Sequence, residues 1–289
     1  MFDAFIQYLQ FEKRCSEHTV TAYQTDLTQF QDYFEFKSIS DLGDLTSLSL
    51  RSWVVHLIDS GLTNRTVNRK IATLRTLFRW MRKEGIVKAN PMAKIHGPKN
   101  EKRLPVFAKE SELDSNKLAE MFNNDFDGLR DELMVELFYQ TGMRLNELMN
   151  LKEIDVNEQY IKVLGKRNKE RLIPISSGLF LQIQEYISQK RKIVSESKFL
   201  IVLKNGNKLY PTFVYRKINA YLSQATSLDK KSPHVLRHTF ATHMLNRGSG
   251  LETLKDLLGH ANLAATQIYT HNSFAQLTAI YSQAHPRGH

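Results

Sequence analysis

The string Gly97-Pro98-Lys99-Asn100-Glu101-Lys102-Arg103-Leu104-Pro105 constrains the fold most, because its composition is that of a linker between long helical patterns. Its prolines lack an amide donor and fix their own backbone, so a helix does not continue through them. Asn90-Pro91 has already interrupted the helical pattern just upstream. A chain of 289 residues broken there is long enough for two domains with separate cores. The expected division is a helical domain over 1–96, a basic linker over 97–110 and a second domain over 111–289.

Hydrophobic spacing predicts four helices in the first domain, over 2–13, 17–36, 49–60 and 64–84, with Gly43, Gly61 and Gly85 punctuating their ends. The second domain opens with helical patterns over 114–123 and 128–139. Alternation then appears in Tyr160–Leu164 and again in Arg171–Ile175, around a polar turn from Gly165 to Glu170. This reads as a hairpin, with Pro174 on an edge position. Further helices are expected over 178–194, 212–225, 233–246, 251–258 and 272–284, and Pro233 suits a first helical turn. The sequence contains no internal repeat and no low-complexity stretch. The expected class is mainly α with one small antiparallel sheet.

Charge is unevenly placed. The basic residues from Arg65 to Arg103 number twelve, opposed only by Glu84 and Glu101, a surplus equal to the whole net charge of +10. In the helix over 64–84, Val67, Ile71, Leu74, Phe78 and Met81 form an apolar stripe, and Arg65, Arg69, Arg79 and Lys83 fall near the opposite face. A solvated face is the usual fate of such charges, but the scarcity of acids favours a surface for phosphates, hence DNA. One cysteine, Cys15, excludes a disulfide framework and fits a reducing cytoplasm. The N-terminus lacks a signal-peptide pattern, and no apolar run nears the roughly twenty residues of a membrane span. A cytoplasmic protein with no membrane attachment is expected.

Chemistry-bearing residues gather in the second domain. Arg144 lies in Thr141-Gly142-Met143-Arg144-Leu145-Asn146-Glu147, Lys166 in Leu164-Gly165-Lys166-Arg167-Asn168-Lys169-Glu170-Arg171, and His234 and Arg237 in His234-Val235-Leu236-Arg237-His238. His260 follows Leu257-Leu258-Gly259, and Tyr269 lies in Thr266-Gln267-Ile268-Tyr269-Thr270-His271. Moving a phosphodiester without a metal needs a nucleophile, fixed cations and an acid for the leaving oxygen. Arginine's planar fork donates paired hydrogen bonds to phosphate oxygens and keeps its charge. A tyrosine hydroxyl, with an ordinary pKa of about 10, needs a nearby base or a cationic pocket to become a nucleophile. Singly, each of these residues has a bland explanation: a surface arginine, a solvated hairpin lysine, a core tyrosine.

The order Arg, Lys, His-x-x-Arg, His, Tyr resembles that of the tyrosine site-specific recombinases, the phage integrase family, and is most similar to its bacterial Xer-type members. The resemblance runs from about Phe5 to Arg287. It implies an N-terminal helical, SAM-like core-binding domain and a mostly α catalytic domain with a small β-sheet. It further implies that Arg144, Lys166, His234, Arg237, His260 and Tyr269 are the catalytic set, with Glu147 supporting Arg144. Tyr269 would form a 3′-phosphotyrosine and Lys166 would protonate the leaving 5′ oxygen. His234 is the candidate base and His260 a phosphate hydrogen-bond donor, the division of protonation between them staying open. Arg65, Arg69, Arg79, Lys83 and Arg167 are the candidate DNA contacts, and a basic linker suits two domains closing around a duplex.

The resemblance implies no cofactor and no ATP. It implies partners in double-stranded DNA with a specific site and in a homo- or hetero-tetramer on two duplexes, and it admits a DNA-translocase activator of the cell-division machinery. It places the activity in chromosome-dimer resolution or in mobile-element integration and excision. The segment after Tyr269, over 273–289, would be an exchange helix packing into a neighbouring protomer. Two departures touch DNA contacts only: Arg167 where a second glycine is common, and Ala265 where threonine is common. A type IB topoisomerase-like enzyme acting on one duplex, and a catalytically silent DNA-binding protein of the same fold, are the rivals. A zinc site on His234 and His238, four residues apart, is disfavoured because Arg237 lies between them and no thiolate cluster exists. His238 is expected to cap or pack within its helix, and His243 and His271 to be structural or DNA-proximal.

Overall fold

The computed structural model describes residues 1–100, 106–165, 170–194, 196–259 and 271–288, the side chains of 271–273 excepted. The chain forms two compact units, Met1–Arg103 and Leu104–His289. The class is mainly α with a small antiparallel sheet, as the sequence pattern predicts.

The first unit holds α1 (Asp3–Gln7, running on as a π-helical turn over Tyr8–Glu12), α2 (Glu17–Phe34), α3 (Ser47–Asp59) and α4 (Asn64–Lys83). α4 starts where the Thr63 hydroxyl accepts from the Thr66 amide, and its stripe Val67, Ile71, Leu74, Phe78 and Met81 is buried. Gly61 and Gly85 follow α3 and α4 with φ of 78° and 72°, the left-handed geometry that ends a helix. Gly43 instead lies inside a 3₁₀ turn over Ile39–Asp44, and α2 is ended by Glu35, left-handed at φ 56° without being glycine. The start of the linker string is fastened to α4: the Asn68 and Asn64 side-chain amides donate to the Pro98 and Lys99 carbonyls, each at 2.8 Å.

The second unit is built round α6 (Phe126–Thr141), buried on nearly every side. α5 (Ser115–Ala119) precedes it and α7 (Leu145–Asn150) follows it, the latter within a stretch for which no helix is expected from spacing. β1 (Tyr160–Leu164) pairs antiparallel with β2 (Glu170–Pro174), and Val163 faces Arg171 across the ladder. α8 (Ser177–Ile193), α9 (Pro211–Ala225), α10 (Pro233–Asn246), α11 (Leu251–Leu258) and α12 (His271–Ala284) complete it. The far end of the linker belongs to this unit, with Ala108 fully buried and its amide donating to the Thr239 hydroxyl on α10 at 3.0 Å. His243 donates through Nε2 to the Ala108 carbonyl at 3.0 Å, which leaves Nδ1 to accept from the Tyr139 hydroxyl, also at 3.0 Å. His243 is therefore a structural residue.

α12 packs on its own unit here, burying Leu277, Tyr281 and Ala284, and Arg287 beyond it pairs with Glu136 on α6. The α12 stripe finds apolar cover on α10 and β2, and Phe274 meets the Tyr160 ring of β1 edge to face. None of the described helices is long and apolar enough to cross a membrane.

Candidate phosphate site on the second unit

The site begins where α6 ends. Gly142 is left-handed, at φ 59°, and a Cβ there would stand 2.5 Å from the Phe240 ring, so both the turn and the packing demand glycine. That turn delivers Arg144 to the N-cap of α7, where its amide donates to Glu147 Oε2 at 2.7 Å and its Nη1 to Glu147 Oε1 at 2.8 Å. Arg237 reaches the same turn from α10, donating through Nη1 to the Gly142 carbonyl and through Nη2 to the Leu258 carbonyl at 2.7 Å.

The other half of the site is the C-terminus of α11, whose last carbonyls have no partners within the helix and carry the negative end of its dipole. Arginines take three consecutive ones. Arg171 Nε donates to Leu257 at 2.7 Å, Arg237 to Leu258, and Arg144 Nη2 to Gly259 at 2.9 Å. Gly259 closes the helix at φ 62°, and a Cβ on it would lie 3.1 Å from Arg171 Nη1, so glycine also makes room for that guanidinium. The Gly259 position fixes where the chain leaves for His260.

Two guanidiniums, Arg144 and Arg171, bond one carboxylate and a third, Arg237, stands beside them, leaving an excess of two positive charges. Burial, then the cations Arg144 and Arg171, push the Arg237 guanidinium down to about 9, still charged at neutral pH. Burial alone would raise the Glu147 carboxyl, but the bonds and charge of Arg171, then those of Arg144, outweigh it and hold the carboxyl at about 2. Arg144 keeps 28% of its side chain exposed, so this cationic cluster has an opening. His234 lies exposed one turn before Arg237. Partial desolvation of the ring, then His238, Arg237 and Arg144, lower its imidazole below the ordinary value, which favours the neutral form at pH 7, able to take a proton. An exposed neutral base beside surplus fixed cations is suited to an anion that loses or gains a proton during reaction.

Arg144, Glu147, His234 and Arg237 are therefore brought to one place. Lys166, Arg167, His260 and Tyr269, with Ala265, lie outside the described residues. Arg171 is the site member that motif reading passes over, although strand parity signals it. It shares a face with the buried Ile173, where an arginine must find an internal partner. Among the described residues no group of three metal-ligating side chains converges, and His238 is exposed on α10 rather than packed within it as expected, because its position falls on the helix's solvent side.

On the first unit, Arg65, Arg69, Arg79 and Lys83 are all exposed on α4. They are not equally free. Arg69 pairs at 2.5 Å with the buried Asp26, which also holds the buried Lys70 at 2.9 Å. Lys83 stands 3.6 Å from Glu12. Arg79 and Lys83 line an aromatic-floored cavity of about 580 Å³ with Tyr8, Lys13 and Trp80.

Residues 111–276 match the phage integrase family, and residues 2–85 match the phage integrase N-terminal SAM-like domain. A protein named tyrosine recombinase XerC from Oceanobacillus iheyensis is 37% identical over 99% of this chain and 95% of its own length. Another of that name, from Staphylococcus haemolyticus, is 38% identical over 98% of this chain and 96% of its own. Among solved structures, a XerH site-specific recombinase in a post-cleavage complex with palindromic difH substrate superposes with a TM-score of 0.73 at 22% identity, covering 93% of this chain and 81% of that one. A lambda integrase dimer bound to a COC′ core site gives 0.68 at 19% identity, covering 95% and 93%. At such identities the structural likeness is one of fold.

Proposed function

This chain belongs to the phage integrase family and is a tyrosine recombinase, and we propose that it exchanges DNA strands between two duplexes through a covalent intermediate on Tyr269. Arg144 and Arg237 bind the two non-bridging oxygens of the scissile phosphate. The Tyr269 hydroxyl attacks phosphorus and gives its proton to His234. The bond from phosphorus to the 5′ oxygen breaks, and Lys166 protonates that oxygen as it leaves. The 5′-hydroxyl of the partner strand then attacks the 3′-phosphotyrosine, and the bond to the tyrosine oxygen breaks. His260 adds a hydrogen bond to the phosphate. One phosphodiester is exchanged for another, so the balance calls for neither ATP nor metal. Two cuts on each of two duplexes call for four protomers, in a cytoplasmic, Xer-like site-specific reaction.

The observation that carries this reading is the convergence of Arg144 and Arg237, distant in sequence, on neighbouring carbonyls with an uncompensated positive charge. The related structures bound to difH and to a core site are of recombinases on DNA, which supports DNA as the partner here too. The test is a strand-exchange assay with two duplexes carrying the protein's own site, in buffer with chelator and without nucleotide. Recombinant joints are expected. Relaxation of a single supercoiled duplex with no joints would mark a topoisomerase-like enzyme instead, and binding without any cleavage a silent relative.

The DNA-contact residues of α4 are proposed with one refinement. Because Asp26 engages Arg69, replacement of that arginine also disturbs the buried Lys70, and Arg65 with Arg79 make the cleaner pair. Arg65→Ala with Arg79→Ala should weaken binding and lower the log–log salt slope by about 0.9 for each phosphate that is no longer neutralised. An unchanged slope would return both residues to an ordinary solvated face.

A further inference from the structure

We propose that Arg171 is a positioning residue for the phosphate clamp: it takes up the charge of Glu147 so that the charge of Arg144 remains available to DNA. The inference rests on Arg144 and Arg237 being that clamp. Arg171 is 5% exposed, so it cannot itself meet a phosphate arriving from solvent. Its two terminal nitrogens instead address Glu147 as a two-pronged pair, Nη1 to Oε1 and Nη2 to Oε2, each at 2.8 Å. Arg144 uses only one prong on that carboxylate. Paired hydrogen bonds of this geometry are the stronger kind, so the carboxylate's charge is matched first by Arg171.

Remove Arg171, and the excess of two positive charges falls to one, with Glu147 matched by Arg144 alone. Arg144 would then meet a phosphate already partnered. Arg171 does a second thing through its third nitrogen, which holds the Leu257 carbonyl at 2.7 Å. It stands on β2, one residue after the described strand resumes beyond Lys166, and opposite Val163 on β1. One buried side chain thereby joins the strand that follows Lys166 in sequence, the carboxylate behind Arg144 and the helix end before His260. Gly259 is the sequence cost of that approach, since any Cβ there would press on Arg171.

The test measures single-turnover formation of the covalent protein–DNA adduct at saturating protein, with DNA affinity and thermal melting measured beside it. Arg171→Met should slow adduct formation by about 10- to 100-fold, the range for partners that orient and tune a functional group, with DNA affinity changed less than about threefold. Adding Glu147→Gln removes the carboxylate charge that Arg171 had balanced, and the double variant should regain at least about tenfold of the loss. A purely structural role predicts no such recovery. Should Arg171→Met fail to melt cooperatively, the double variant carries the test alone, because removing both members of a buried pair is far milder than removing one. It should then cleave within about tenfold of the unaltered protein. Arg171→Met cleaving at the unaltered rate, a double variant that recovers less than about tenfold of the loss, or, where it carries the test alone, one more than about tenfold slower than the unaltered protein, overturns the proposal. If the unaltered protein itself forms no adduct, it is the functional reading that fails, and the two failures stay distinct.

Discussion

Tyr269→Phe is expected to bind its DNA site as tightly as the unaltered protein and to form no covalent adduct on a nicked substrate. The substitution deletes a single oxygen, the one that would bond to phosphorus, and leaves the ring and the arginine cluster in place. Three buried or half-buried tyrosines of the second unit are poor substitutes. Tyr281 is 1% exposed, and burial pushes its hydroxyl well above the ordinary range. Tyr139 is likewise buried and raised, and its hydroxyl is already engaged by His243. Burial raises Tyr221 too, and its hydroxyl donates to the carboxylate of Asp131 at 3.1 Å, which adds to the rise. Gel mobility for binding and denaturing electrophoresis for the adduct check both halves of the expectation. Undiminished adduct with the phenylalanine variant would remove Tyr269 from its role.

Arg237→Ala is expected to slow cleavage at saturating DNA by about 10²- to 10³-fold, the usual loss when one preorganised donor to a developing anion is removed. Arg237 is mostly buried and fixed by two carbonyls, so its charge needs no reorganisation when phosphate arrives. The same substitution strips a donor from the Gly142 and Leu258 carbonyls, at about 1–3 kcal/mol for each that stays buried. Lower thermal stability should therefore accompany the slower chemistry. Arg237→Lys keeps a charge but loses the fork that spans α6 and α11, and should recover only a minor part of the rate. Single-turnover cleavage with parallel melting curves separates the two effects. Cleavage by a folded Arg237→Ala protein within about tenfold of the unaltered rate would exclude Arg237 from the clamp.

What the sequence made legible follows from how local each determinant is. The stripe on α4 and the alternation in β1 and β2 are properties of single elements, and the buried positions match them. Gly142 and Gly259 were visible as motif letters, but their reason is tertiary: one faces the Phe240 ring and the other the Arg171 guanidinium. Helix α7 is only six residues, too short for spacing to declare, and it is fixed by the two bonds that Arg144 donates, from its amide and its Nη1, to the Glu147 carboxylate at its first turn. Glu35 shows the same limit, since nothing local distinguishes the residue that takes a left-handed helix end without being glycine. On α4, helical spacing placed Arg69 on the basic face, but only the fold brings Asp26 of α2 against it. In the site, motif order named the residues proposed to meet substrate and passed over Arg171, whose partners lie on α7 and α11.

The central claim is that the arginine cluster serves attack on a DNA phosphate by Tyr269. The most direct measurement traps the unaltered protein on a suicide duplex nicked beside its cleavage point, digests the adduct, and identifies by mass spectrometry the peptide that carries the nucleotide. The account predicts a 3′-phosphoryl link to Tyr269, with a free 5′-hydroxyl on the released strand. A link to any other residue, or a 5′-phosphoryl link with a free 3′-hydroxyl, would contradict it.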